Sequence, residues 1–151
     1  MAREILFKAK SIDGEWVEGS YLFCPIRDNE KSELENITYK HWIVSKDGMC
    51  YEIDINTLCQ YTGLTDKNGR KIFENDVVKK HFYTDYDAFA NSEEYVGVVK
   101  FIDCAWVVET VREKNKCIRP IFEAMAYSQD VKYFEVIGNI FDNPELLGGG
   151  E

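Results

Sequence analysis

Gln60-Tyr61-Thr62-Gly63-Leu64-Thr65-Asp66-Lys67-Asn68-Gly69-Arg70-Lys71-Ile72-Phe73-Glu74-Asn75-Asp76-Val77-Val78 is the stretch whose reading decides the fold. Asn68-Gly69 suits a two-residue hairpin loop, because both central residues of a type I′ turn need positive φ. On that loop Leu64 pairs with Phe73, and the charges of Asp66, Lys67, Arg70 and Lys71 crowd the tip. An apolar run opened by Asp76 follows and reads as the next strand.

Two dipeptides of the same kind lie upstream. Ile5, Phe7 and Ala9 alternate with Glu4, Leu6, Lys8 and Lys10, a period of two that predicts a strand. With Asp13-Gly14 as its loop, Ile12 faces Glu15 and Ile5 lies opposite Leu22. Ile5, Phe7, Ala9, Leu22 and Trp16 then share one face. Glu18 falls on that face opposite Ala9, which points to a twist or bulge near Gly19. Asp47-Gly48 separates 39–46 from 49–55, and the same loop sets Val44 opposite Tyr51 and Trp42 opposite Ile53. His41 is left on the other face as a surface or cross-strand histidine. Three hairpin signals in the first 70 residues predict an all-β chain of antiparallel hairpins.

Between these units, residues 25–38 carry Arg27, Asp28, Glu30, Lys31, Glu33 and Glu35 and read as a solvated loop. Downstream, strands are expected over 77–83, 95–102, 105–111 and 131–137, with a polar excursion at 84–94. Ile118 to Ala126 is apolar but holds Pro120, which confines it to an edge strand or an irregular segment. Asn143-Pro144-Glu145-Leu146-Leu147 predicts one short C-terminal helix, with Asn143 as cap and Pro144 at the first helical position. Gly148, Gly149 and Gly150 end it, and 148–151 is a flexible tail.

Eighteen basic against 27 acidic residues give a net charge of −9. That balance opposes phosphate attraction and disfavours nucleic acid and anionic membrane surfaces as partners. No run approaches the roughly 20 apolar residues of a membrane span. Five Cys (24, 50, 59, 104 and 117) form no CxxC pair, and no apolar leader follows Met1, so a reducing cytoplasm is expected. The sequon Asn36-Ile37-Thr38 is then without consequence.

No phosphate loop, nucleophile elbow or zinc spacing is present. Only His41 and His81 are available as histidine acids or ligands. Cys50, Cys59 and His41 lie on neighbouring elements, but a buried Cys ordinarily behaves as a small hydrophobe. Glu74 and Asp76 read as a turn cap and strand start rather than as a catalytic carboxylate pair. No catalytic, cofactor-binding or metal-binding residues are therefore expected, and no cofactor. Tyr61, Lys67, Arg70 and Lys71 form the candidate contact surface. Lys79-Lys80-His81-Phe82-Tyr83 mixes basic and aromatic residues in the manner of single-strand binders, but Asp85 and Asp87 follow at once.

Three blocks together carry a family resemblance. The first is Arg3-Glu4-Ile5-Leu6-Phe7-Lys8-Ala9-Lys10 with Gly14-Glu15-Trp16-Val17-Glu18-Gly19. The second is the stretch quoted at the outset. The third is Phe134-Glu135-Val136-Ile137-Gly138-Asn139-Ile140 with Asn143-Pro144-Glu145-Leu146-Leu147. On these the chain resembles the YopX family of phage and prophage proteins. It departs from the family's usual Glu-Gly-Asp at Glu74-Asn75-Asp76, where Asn tolerates left-handed φ better than most residues.

The resemblance implies an SH3-type small barrel in the C-terminal part. The expected organisation is an N-terminal β-hairpin region over 1–57 and the barrel over 58–147, packed as one compact unit. The family offers no established catalytic residues to carry over. Nine Tyr, nine Phe and three Trp exceed what one small core takes in, and surplus aromatics suit interfaces. The expectation is a non-catalytic, phage-type interaction protein that self-associates as a homo-oligomer or docks on a phage or host protein. The alternatives are a nucleic-acid-binding small-barrel protein and, last, an enzyme.

Overall fold

The computed structural model describes residues 4–27, 37–80, 95–111, 118–120 and 134–148. Among them eleven strands run in chain order. They are β1 (Phe7–Lys10), β2 (Trp16–Arg27), β3 (Ile37–Val44), β4 (Cys50–Glu52), β5 (Cys59–Thr65) and β6 (Lys71–Phe73), then β7 (Asp76–Lys80), β8 (Tyr95–Ile102), β9 (Ala105–Thr110), β10 (Ile118–Pro120) and β11 (Phe134–Asn139). They form two antiparallel sheets, so the chain is all-β. No helix among the described residues is long and apolar enough to cross a membrane.

Gly14, Gly48 and Gly69 take left-handed φ of 88°, 78° and 78°. Each closes a loop of three residues, not the two expected. Ser11 donates its amide to the Glu15 carbonyl at 2.8 Å, Ser45 to Met49 at 2.8 Å and Asp66 to Arg70 at 2.7 Å. In all three a Ser or Asp stands three residues before the Gly, the signature of a type I turn followed by a glycine bulge. The extra residue shifts each register by one, which turns side chains to the opposite face. Val17, not Glu18, lies opposite Ala9, and Trp16 pairs with Lys10. Ile43 pairs with Tyr51 and Trp42 with Glu52. The awkward Glu18 now faces Lys8.

The chain divides into two units, Met1–Tyr61 and Thr62–Glu151. In the first, strand order is β4-β3-β2-β1-β5. Its core is Ala9, Ile43 and Ile53, with Phe7, Val17, Tyr21 and Leu58 packed against it. Ile5 is exposed and Leu6 is the buried residue instead. Residues 25–27 and 37–38, expected in a loop, belong to β2 and β3, where Pro25 pairs with Tyr39 and Arg27 with Ile37.

In the second unit the end of β5 meets β6, and a five-stranded sheet has the order β10-β9-β8-β7-β11. Ile72, Val78, Val99, Trp106, Val108 and Phe134 make its core. β10 is the edge strand that Pro120 requires. Neither sheet closes on itself among the described residues, so the implied SH3-type barrel is not seen as a closed barrel. The C-terminal helix is a single 3-10 turn, Pro144–Leu147, without a side-chain cap from Asn143. The Asn143 carboxamide oxygen instead accepts the Asn139 amide at 3.3 Å. The polar excursion 84–94 and residues 81–83, 121–126 and 131–133 lie outside the described residues.

A two-residue loop does occur, where no glycine marks it. Asp103 and Cys104 take φ of 49° and 64° between the paired Ile102 and Ala105. A Cβ in that region costs roughly 1–2 kcal/mol. Replacing Cys104 with Gly should therefore raise stability by up to about 1 kcal/mol. Gly69→Val should lower it by about 2 kcal/mol, although nothing lies within 4 Å of the added Cβ. Urea denaturation of the two variants should show opposite shifts in midpoint.

Candidate functional site

The signature stretch positions its charges by backbone geometry. Asp66 is 5% exposed, and one carboxylate oxygen accepts the amides of Asn68 at 2.8 Å and Arg70 at 2.9 Å. The other accepts the amide of Val136 on β11 at 3.0 Å. The Lys67 amide donates to the Phe134 carbonyl at 2.9 Å. Lys67 Nζ pairs with Glu135 at 2.7 Å, and the Arg70 guanidinium donates to the Val136 carbonyl at 3.3 Å. The turn is thereby laid along the outer edge of β11, using donors and acceptors that an open edge would expose.

Of the four expected contact residues, Lys67 and Arg70 come together on β11. Lys71 is half-buried at the start of β6, and Tyr61 is buried at the end of the first unit. Asp76, 1% exposed, accepts the Phe73 amide at 2.8 Å. Asn75 sits at φ 64°, where the family's usual Gly would stand. Its amide donates to Val99 at 2.8 Å and its carbonyl accepts from Ile140 at 3.1 Å. The Asp66 and Asp76 carboxylates thus hold backbone in place.

His41, Cys50 and Cys59 do not converge. His41 faces the same side as Ile43, whereas Cys50, paired with Val44, faces the other and is exposed. Cys59 is buried, its thiol donating to the Thr57 carbonyl at 3.2 Å. Among the described residues no three His, Cys, Asp or Glu side chains form a metal-binding group.

What sequence reasoning missed lies on β2 and β3. β1 accompanies β2 only as far as Gly19, and β4 accompanies β3 from Trp42 to Val44. Gly19 is needed there, because a Cβ would lie 2.0 Å from the Val44 carbonyl oxygen. Beyond these points β2 and β3 continue as a two-stranded arm to Arg27 and Ile37, with no third strand beside it among the described residues. One face carries rings in succession. Phe7 and Tyr21 centroids are 5.7 Å apart, Tyr21 and His41 5.9 Å, His41 and Phe23 5.1 Å, and Phe23 and Tyr39 5.2 Å. Tyr21 Oη and His41 Nδ1 share a hydrogen bond of 2.7 Å.

The ladder starts in the core and ends in solvent, where Phe23 is 50% and Tyr39 58% exposed. The signal was the pairing of two alternations, Tyr21/Phe23 and Tyr39/His41, and the adjoining charge run hid it. On the opposite face, Lys8 and Lys10 lie 5.1 and 5.6 Å from the Trp16 ring, and Lys40 5.9 Å from the Trp42 ring.

Removing the Asp66 carboxylate strands three amides, each worth about 1–3 kcal/mol when buried and unpaired. Asp66→Ala should cost about 3–5 kcal/mol, and Asp66→Asn, which keeps one acceptor oxygen, about half of that. Lys67→Met breaks a half-exposed ion pair and should cost under about 1 kcal/mol. Urea denaturation of the three variants checks the order.

Among known proteins, the chain is similar to protein EF1440 from Enterococcus faecalis, known from a crystal structure. Identity is 24% and the TM-score 0.48, over 97% of this chain and 100% of that one. No curated protein matches. The family described as YopX protein matches residues 7–148, which takes in the hairpin loops, the signature stretch and β11. The chain belongs to the YopX family.

Proposed function

We propose that the protein is a non-catalytic, phage- or prophage-type interaction protein of the cytoplasm that self-associates and docks on a phage or host protein. The observation that carries this reading is the arm. Of the eleven large hydrophobic residues that the described part of the chain exposes, three (Phe23, Ile37 and Tyr39) share one face of it. Clustered apolar exposure of this kind marks interaction surfaces, unlike the same residues scattered singly. Against catalysis stands the use of the buried Asp66 and Asp76 carboxylates on backbone amides. The SH3-type architecture of the C-terminal part stays within this reading, supported by the consecutive antiparallel strands β7, β8 and β9.

A second reading has its own observation. Trp16 with Lys8 and Lys10, and Trp42 with Lys40, offer aromatic and basic groups on one sheet face, the combination that single-stranded nucleic acid uses. Salt separates the two. Two chains of charge −9 repel, so salt should strengthen apolar self-association by screening, whereas it weakens nucleic-acid binding.

Light scattering across a wide concentration range, at low and high salt, should show reversible association that grows with both. A strict monomer throughout would overturn self-association. A salt-sensitive mobility shift with single strands would promote the second reading.

A further inference from the structure

We infer that the ring-bearing face of the β2–β3 arm is the docking surface for a second copy of this chain, the two arms packing face to face across a two-fold axis. The inference rests on the self-association proposed above and names the surface and its occupant.

The face is mostly apolar. It presents Phe23, Tyr39, Pro25 and Ile37 beyond the Tyr21–His41 pair, with Arg27 at its end. Phe23, Tyr39 and Ile37 are 50%, 58% and 45% exposed. Side chains of this size bring roughly 400–500 Å² of removable surface per copy, hence about 800–1,000 Å² for two. That is below the size of stable interfaces and in the range of weak, transient ones, so the dimer is a reversible one.

Charge argues for the same occupant. The paired strands 20–27 and 37–44 hold no Asp or Glu, in a chain that carries 27. Their cations are Arg27 and Lys40, and Lys40 turns to the other face, where it bonds Glu52 at 2.9 Å. A basic partner would find no carboxylate on this face. Two acidic copies, in contrast, meet here on strands that carry no carboxylate of their own. Two-fold packing sets the same patch of each copy against the other, residue i meeting j and j meeting i, so a single apolar face serves both partners. Stacking and the Tyr21–His41 bond hold the rings before association, which limits the ordering cost.

The double variant Phe23→Ser/Tyr39→Ser should weaken self-association about ten-fold or more, read by light scattering. Leu22→Ser/Ile26→Ser, on the opposite face of the same arm, should leave it unchanged. Circular dichroism checks the fold of both. Unweakened association of the folded ring-face variant would overturn the arm assignment. A wild-type monomer at every concentration would instead remove the underlying self-association. Should the ring-face variant not fold, hydrogen exchange on the wild-type chain decides. Added protection at high concentration should fall on 21–27 and 37–41, and protection elsewhere without it there would overturn the inference.

Discussion

A left-handed glycine closes each of three hairpins, β1–β2, β3–β4 and β5–β6, and registers across much of the chain follow from it. Because φ at Gly14, Gly48 and Gly69 is positive, the loop before each glycine takes three residues, and the ladders start at Ser11–Glu15, Ser45–Met49 and Asp66–Arg70. Side-chain direction alternates with each residue, so this one choice decides faces for whole strands. It sends Val17, Tyr21 and Ile43 to the core of the first unit and Trp16, Leu22 and Trp42 to the other face. Had the loops been two residues long, Glu18 would sit on the apolar face. The bulge at the glycine removes that conflict, and the ladder from Phe7–Gly19 to Lys10–Trp16 runs unbroken.

In the second unit the same loop does additional work. The residue that opens a type I turn is commonly Asp, Asn or Ser, because its side chain accepts amides of the turn. Asp66 accepts two of them with one oxygen and reaches a neighbouring strand with the other. A loop-closing carboxylate thus becomes a link between residues 66 and 136, far apart in sequence. The charges that look like a contact patch in the linear sequence, Lys67 and Arg70, are spent on the same strand. A cluster of charges at a turn tip is therefore weak evidence for a binding site when the turn itself lies along a sheet edge.

The antiparallel all-β character was legible because hairpin signals and period-two alternation agree. Strand β8 falls on the β-rich segment 95–102, and Pro120 marks an edge. The loop type was also written in the sequence, in Ser11, Ser45 and Asp66 three residues before each glycine, but the Asp-Gly and Asn-Gly dipeptides pull the reading toward two-residue turns. The Asp103-Cys104 turn was not legible, because nothing local announces a left-handed Cys. The extent of the arm was hidden for a different reason. Residues 25–27 and 37–38 owe their strand conformation to each other across the hairpin, a non-local cause that a charged neighbourhood masks.

The arm also has an energetic logic of its own. A two-stranded ribbon without a hydrophobic face to pack is marginal in water, yet β2 and β3 keep their pairing out to Arg27 and Ile37. The ring ladder supplies a reason, since each ring leans on one nearer the core, from Phe7 outward to Tyr39. Aromatic contacts add about 0.5–1.5 kcal/mol each beyond area burial, enough to hold a short ribbon but not to remove its outer rings from water. Such a surface is rigid and still hydrophobic. Both properties favour association, because little freedom is left to lose and apolar area is left to gain.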